Sequence, residues 1–345
     1  MRISVIIPFR GDLDTLHWVL EGFATQQLPA DWHLDVRIGS DGAPIVVPPA
    51  PGSANIHFTP LAFERVGISE AKNRLLQNAD GDVLIFANGD TRPRPDFVRT
   101  HGERLGALPA GSMVLGASPY VTRDAKIPET VFDVLKRDTP MIFFYANLQP
   151  HAWYDYRHAW NMNVSVRRAD VAAAGNFQPL LRPVFYDDIE MAYRIMGAAK
   201  HVYFEPSAIV EHFHPMNLEN YLMREELLGL MASVLFDVNP AMAAALFAGK
   251  SLAALENEFS AWVQMDASTH AWIFRRMSEW IDLPSSALGA GESRSRLLSA
   301  LYQMHIPLKR LAFRLGFLRG LGLKGDARWQ DRQPQGLWRA ITSKA

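Results

Sequence analysis

The acids of this chain fall in places where carboxylates do chemistry. The apolar run Val83, Leu84, Ile85, Phe86, Ala87 stops abruptly at Asn88-Gly89-Asp90, so a strand hands a carboxylate to its own carboxyl end beside a glycine. An earlier apolar segment does the same, running into Gly39-Ser40-Asp41-Gly42. In open α/β sheets, ligands bind outside the carboxyl ends of the strands. Two acids at one such edge could hold a cation or the hydroxyls of a ligand. A second group lies in "YDDIEMAYRI", where Asp187 and Asp188 are adjacent, followed by Glu190 and Arg194. Neighbouring residues at a helix start point in different directions, so one of the two acids can face a reacting group. Taken singly, each feature has a plainer reading. A strand-end Asp caps a turn, and acids in a first helical turn favour the macrodipole.

The elements that must position these residues alternate. Residues 3–8 read as a buried strand closed by Pro8. A helix over 13–26 follows, with Leu13, Leu16, Leu20 and Phe23 on one stripe. A strand spans 34–38, and 44–54 is a Pro-rich loop. Ser69 reads as the N-cap of a helix through 79, stopped by Asp80-Gly81. The strand 83–87 comes next. Strand, helix, strand, helix, strand is the βαβ alternation of a parallel, doubly wound sheet. Further strands are expected at 113–117, 163–166 and 201–204, with a helix over 188–197. From 216 onward the composition turns helical, and 284–295 reads as a flexible connection between two helical parts.

The bulk composition narrows the class. The chain has 345 residues, 48% of them hydrophobic and 21% charged, enough for one large domain or two ordinary ones. A formal net charge of -1 gives no general attraction to nucleic acid, and none is expected as a partner. The absence of Cys excludes disulfides, thiolate metal sites and a Cys nucleophile. No signal-peptide pattern precedes the first strand, and the apolar stretch 227–236 is too short to span a bilayer. A cytoplasmic protein is expected, with peripheral contact at the inner face of a membrane left open.

Seven segments, in order over 3–214, resemble the family 2 glycosyltransferases. "SVIIPFR" is similar to the family's opening strand, and "GSDGA" to its second strand end. "GISEAKNRLL" resembles its G-x-x-x-A-R-N helix, with Lys72 for the usual Arg. "FANGD" stands in the place of the Asp-x-Asp metal motif, with Asn88 for the first Asp. "WNMNVSVRRADVAAAGNF" resembles an acceptor-side segment, "YDDIEMAYRI" the catalytic segment, and "PSAIVEH" the closing strand. The resemblance implies a GT-A fold, Rossmann-like with a mostly parallel sheet, over 1–215. The helical region 216–345 then serves the acceptor side, packing or oligomerisation. It implies inverting transfer of a sugar, hexosyltransferase-type, from a nucleotide-sugar donor to a glycan, lipid-linked or protein acceptor, in bacterial surface glycan or glycoconjugate synthesis.

The same resemblance assigns roles. A divalent metal, Mn2+ or Mg2+, neutralises the diphosphate as a Lewis acid, with Asp90 and His212 as its ligands. His214 lies outside the matching position and ranks lower, and His212 by itself also reads as a buried, hydrogen-bonded histidine. Pro8, Arg10, Asp41, Lys72, Asn88, Gly89 and Asp90 are the donor-binding candidates, with Lys72 as a point charge for the diphosphate or a solvated lysine. Asp188 is the base and Asp187 stands where the family has Glu. Asn88 motivates one alternative, a nucleotide-sugar-binding protein without catalysis. A sugar-phosphate nucleotidyltransferase is a second, disfavoured because "PFRGDLDT" is no Gly-rich basic loop.

Other signals carry less. Trp160 could stack on a sugar or fill a core, and Asn161 stands next to it. His151, Tyr154 and His158 show no metal-ligand spacing. Gly316, Gly320 and Gly322 follow no strand, so they are not a dinucleotide fingerprint. The basic, apolar segment 308–324 has Leu308, Leu311, Leu315 and Leu318 on one stripe but Phe313 and Phe317 opposite. It reads as a packing element, on the catalytic domain or a second subunit, before a membrane-surface helix.

Overall fold

A computed structural model describes residues 1–42, 44–45, 47, 54–122, 128–181, 185–265, 267–323 and 333–343, without the side chains of Asp41 and Met265. Most of the Pro-rich loop 44–54 and Lys324 lie outside the described residues. In chain order the elements are β1 (Arg2–Phe9), α1 (Leu13–Ala24), β2 (His33–Asp41), β3 (Ile56–Phe63), α2 (Ile68–Leu76), β4 (Val83–Ala87), β5 (Thr91–Pro93), α3 (Phe97–Ala107) and β6 (Met113–Ala117). Then come α4 (Val131–Asp138), β7 (Trp153–Tyr154), β8 (Asn163–Arg167), α5 (Arg168–Ala174), α6 (Asp187–Met196) and β9 (Val202–His212). The helices α7 (Leu218–Val238), α8 (Pro240–Leu246), α9 (Leu252–Met265), α10 (Ala267–Ile281), α11 (Gly291–Leu321) and α12 (Arg339–Thr342) follow.

Two compact units result. One comprises Met1–Val121 and Leu148–His214, the other Thr122–Asn147 and Pro215–Ala345. Residues 122–147, which the sequence reading left with the N-terminal domain, belong to the second unit. They contain α4, whose buried Val131, Phe132, Val134 and Leu135 join the helical core.

The first unit is built on one sheet in the order β3-β2-β1-β4-β8-β6-β9-β5, with β7 on β9. Strands β1 to β4 are mutually parallel where they pair. β8 runs antiparallel between β4 and β6, β9 returns parallel to β6, and β5 and β7 run antiparallel to β9. Continuous apolar runs form β1 and β4 because both faces of the sheet are covered, and Val5, Ile6, Ile7, Leu84 and Ile85 are fully buried. Each such side chain contributes about 1.5–3 kcal/mol of gross burial.

Several expectations need correction. Leu13 is 45% exposed, so the buried stripe of α1 runs through Leu16, Val19, Leu20 and Phe23, and Asp12 caps the helix by accepting from the Thr15 N–H at 2.8 Å. Ser69 is not an N-cap. Gly67, with φ 84°, takes that place, and the Ser69 hydroxyl donates to the Leu181 carbonyl at 2.9 Å. β3 was not foreseen, since Pro60 interrupts its run; at the sheet edge a proline is tolerated. Residues 284–295 are ordered into a 3-10 turn at Ser285–Leu288 and the first turn of α11.

In the second unit α7 and α11 touch backbone to backbone. A Cβ on Gly229 would collide with the Phe313 carbonyl oxygen, and one on Gly316 with that of Glu226. Both sides of α11 are covered. Leu308 and Leu311 are buried in the helical core, while Phe317 meets the rings of Phe236, Phe247 and Phe259. Among the described residues no helix is long and apolar enough to cross a membrane.

Candidate active site

The parallel strands β1 to β4 end on one edge, which brings together Pro8, Phe9 and Arg10, the end of β2 at Asp41, and Asn88 to Asp90. Pro8 is half-buried and Arg10 exposed there. The side chain of Asp41 lies outside the described residues. β4 turns sharply at this edge. The Thr91 hydroxyl donates to the Asn88 carbonyl at 3.0 Å and accepts from the Asn88 N–H at 3.1 Å. Gly89 is required by a close approach, since a Cβ would lie 2.6 Å from the Phe9 ring.

The turn delivers Asp90 to two histidines. β5 pairs with β9 so that Thr91 faces His212, and the Phe213 N–H donates to the Asp90 carbonyl at 2.9 Å. His214 Nδ1 lies 3.0 Å from Asp90 Oδ2, and His212 Nε2 lies 3.5 Å from the same oxygen. Side chains two apart on extended backbone share a face, which is why both imidazoles reach one carboxylate. Tyr120 stacks on His212 at 4.9 Å between centroids. Burial alone would raise the pKa of Asp90, but hydrogen bonds and charge from His212 and His214 outweigh it, holding the carboxyl well below its usual range. Asp90 Oδ1 is buried with no hydrogen-bond partner among the described residues.

These three residues form a metal-capable group, with ligand atoms all within 4.8 Å of one another. One carboxylate and two imidazoles suit a divalent first-row ion, and the unsatisfied buried Oδ1 is an oxygen with ligating capacity to spare. The residues fit a divalent metal, and of the two ions that the sequence resemblance implied they suit Mn2+ better than Mg2+, which prefers oxygen ligands. His214, ranked below His212 from sequence, makes the shorter contact. Its signal was the His-x-His spacing, which becomes informative once β5 is known to pair beside it.

The second acidic group starts α6. Phe185 and Tyr186 just before it both have left-handed backbones, φ 76° and 64°. Such conformations cost about 1–3 kcal/mol each and persist when the surroundings impose them. Asp187 is buried and accepts from Lys72 Nζ at 2.5 Å. Lys72, expected from sequence at the diphosphate, is thus engaged inside the unit. Asp188 points elsewhere. Its Oδ1 accepts from the Ile189 N–H at 2.8 Å, and its Oδ2 faces the Asn161 N–H at 3.4 Å. Burial pushes the Asp188 carboxyl up, Asp187 adds to the shift and Lys72 opposes it, leaving it at about 6.

The remaining motif residues make contacts within the same unit. Arg167 donates to the carbonyls of Leu105 and Pro109 at 2.7 Å each, closing the end of α3. Arg168 donates to the Gly81 carbonyl at 3.0 Å. Arg194 binds Glu190 and reaches the carbonyls of Ala174 and Asn176, fastening α6 to the end of α5. Asn163 was unassigned beyond its motif. Its amide donates to the carbonyls of Ala117 and Ala208 at 2.9 and 3.0 Å, and its oxygen meets His101 Nε2 at 2.8 Å. This pins the irregular stretch where β9 shifts register against β6 before running on to His212. Trp160 is buried, and Asn161 Nδ2 is buried without a partner among the described residues. Tyr154 and His158 pack ring to ring at 4.8 Å.

No protein-family model matches the sequence, and no curated protein matches it. Solved structures do. The mannosyltransferase PcManGT from Pyrobaculum calidifontis, in complex with GDP-Man and Mn2+, is 16% identical over 93% of this chain and 86% of its own, with a TM-score of 0.52. S. aureus TarS 1–349 is 13% identical over 95% of this chain and 93% of its own, with a TM-score of 0.46. GalNAc-T7 with UDP, GalNAc and Mn2+ is 13% identical over 65% of this chain and 47% of its own, with a TM-score of 0.43. At such identities the likeness is one of fold, and the chain has a GT-A-like architecture: a central, mostly parallel sheet followed by a helical C-terminal region.

Proposed function

We propose that this chain is an inverting glycosyltransferase, related to family 2, that moves a sugar from a nucleotide-diphosphate donor to an acceptor hydroxyl. The observation that carries the reading is the convergence of Asp90, His212 and His214 on the strand-end edge, beside the ends of β1 and β2. A similar fold holds GDP-Man and Mn2+ in the Pyrobaculum mannosyltransferase. Asp90, His212 and His214 would hold Mn2+ or Mg2+, which when bound neutralises charge on the leaving diphosphate as a Lewis acid. Pro8, Arg10, Asp41 and Asn88 border the nucleoside. Asp188 takes the proton of the acceptor hydroxyl as its oxygen bonds to the anomeric carbon and the carbon–oxygen bond to the diphosphate breaks. A carboxyl at about 6 is ionised at neutral pH and more basic than an ordinary Asp, as a general base should be.

The finer assignments follow the same reading. Residues 216–345 serve the acceptor side, the acceptor being a glycan, lipid-linked or protein hydroxyl in bacterial surface glycan synthesis at the inner face of the membrane. The test is calorimetric titration of UDP and GDP with and without Mn2+, followed by a panel of nucleotide-sugars scored by thermal shift, since ligands of the folded state raise its melting temperature. Metal-dependent binding of one nucleotide is expected. Absence of binding by either nucleotide, with and without metal, contradicts the reading.

A further inference from the structure

We propose that Lys72 is a positioning residue: its ion pair with Asp187 anchors the start of α6 and sets the direction and electrostatic surroundings of Asp188, and its ammonium is not a ligand of the donor diphosphate. The proposal rests on the reading of Asp188 as the base. Lys72 is 2% exposed. Its Nζ lies 2.5 Å from Asp187 Oδ2 and 5.0 Å from the centre of the Phe177 ring. An ammonium enclosed by a carboxylate and an aromatic face is already compensated and cannot reach a solvent-side phosphate without abandoning a buried acid.

The helix that carries Lys72 is a fixed post. Asn73 exchanges two hydrogen bonds of 2.9 Å with the backbone of Phe177, and Ser69 donates to the Leu181 carbonyl at 2.9 Å. α2 therefore holds the segment that leads into α6. That segment arrives through Phe185 and Tyr186, both left-handed, and the ion pair grips the next residue. With Asp187 held toward α2, Asp188 is turned the other way, toward the Asn161 N–H. Neighbouring side chains at a helix start point in different directions, so Asp187 can be held against Lys72 while Asp188 faces the Asn161 N–H.

Among the described residues the groups facing Asp188 are few. Asp187 on its own helix raises its proton affinity, Lys72 from α2 lowers it, and the Ile189 and Asn161 N–H groups also lower it. Glu190 and Arg194 on α6 are paired with each other. Tyr156, on the turn packed against α6, meets the Tyr193 ring at 4.9 Å.

The two partners should therefore move Asp188 in opposite directions. In Lys72→Met the negative charge of Asp187 acts on Asp188 unopposed, and the acid limb of turnover against pH moves up by about one unit. In Asp187→Asn only the cation remains, and the limb moves down. In Lys72→Met/Asp187→Asn both charges are gone, and the limb returns toward that of the unmodified protein. Affinity for UDP or GDP with Mn2+ stays within about twofold in all three, because none of these changes touches the metal-binding edge. A diphosphate ligand predicts the reverse pattern, at least about tenfold weaker nucleotide binding whenever Lys72 is replaced.

The experiment measures both quantities on the three variants, with the melting temperature recorded against pH as a second readout. That readout follows the titration of Asp188 without requiring turnover. Opposite shifts with unchanged nucleotide affinity support the proposal. Weakened nucleotide binding with an unmoved limb overturns it. If Lys72→Met fails to fold, the double variant decides alone: retained nucleotide affinity supports the proposal and loss of affinity overturns it. Should Asp188→Asn turn over normally, the base reading fails; the opposite shifts in the stability profile then still test the positioning role.

Discussion

Asp90 and Asp188 are both buried or half-buried acids of one unit, and their surroundings push them in opposite directions. Asp90 stands between two imidazoles that favour its charged form. Asp188 stands beside another carboxylate, in a place where burial penalises its charge. The first is therefore a permanent anion with a spare oxygen, suited to a cation. The second, raised to about 6, is the acid–base group of the proposed mechanism. Separating two carboxylates by environment assigns their tasks more firmly than residue type does.

The largest effect should come from the anion. Asp90→Ala removes the common partner of both histidines, and metal-dependent binding of UDP or GDP is expected to disappear in a calorimetric titration. Equal binding by Asp90→Ala and the unmodified protein would erase the contrast between the two acids. Asp188→Asn comes next. It keeps the shape but cannot take a proton at neutral pH, so turnover should drop by about 10²–10⁴-fold with nucleotide affinity retained. Turnover unaffected by this change would make the segment structural.

A smaller, oppositely signed effect sharpens the comparison through stability. The folded state raises Asp188 from 3.8 to about 6, so folding favours its protonated form. That contribution is fully present below the unfolded value and is lost as pH rises through the folded value. Asp188→Asn should therefore match the unmodified protein near pH 3 and exceed it at pH 8 by about 1–3 kcal/mol, at 1.36 kcal/mol per unit. Denaturant unfolding at the two pH values checks this, and a less stable variant at pH 8 would contradict the assigned environment. The smallest effect is expected at Asn88→Ala, because its backbone makes the turn with Thr91 and survives the change. Nucleotide affinity should fall far less than for Asp90→Ala in the same titration.

The two acids also differ in how much of their setting could be read from the sequence. Asp90 was legible because a continuous apolar run ending in Asn-Gly-Asp is a local pattern, closed by local hydrogen bonds. The alternation of strands and helices around it was legible for the same reason. The partner of Asp187 was not, because Lys72 lies 115 residues away and a lysine on a helix reads as solvated. His214 was underrated because its meaning depends on β5 pairing with β9, a contact between distant segments. Ser69 was misread because serine before an apolar stretch is the common cap, while here Gly67 turns the chain first. The helical unit gave length and apolarity but no chemistry. The glycines of α11 gain their meaning from α7, against which a Cβ would not fit.

The place of β8 in the sheet has a consequence for synthesis. It sits between β4 and β6, yet it is translated after both. As the chain leaves the ribosome, β4 and β6 each present a bare hydrogen-bonding edge until Asn163–Arg167 emerges to join them. Strands with unpaired edges recruit other strands. A nascent chain between these points should be the form that chaperones hold, and slow codons there should cost more in aggregated product than slow codons after β9.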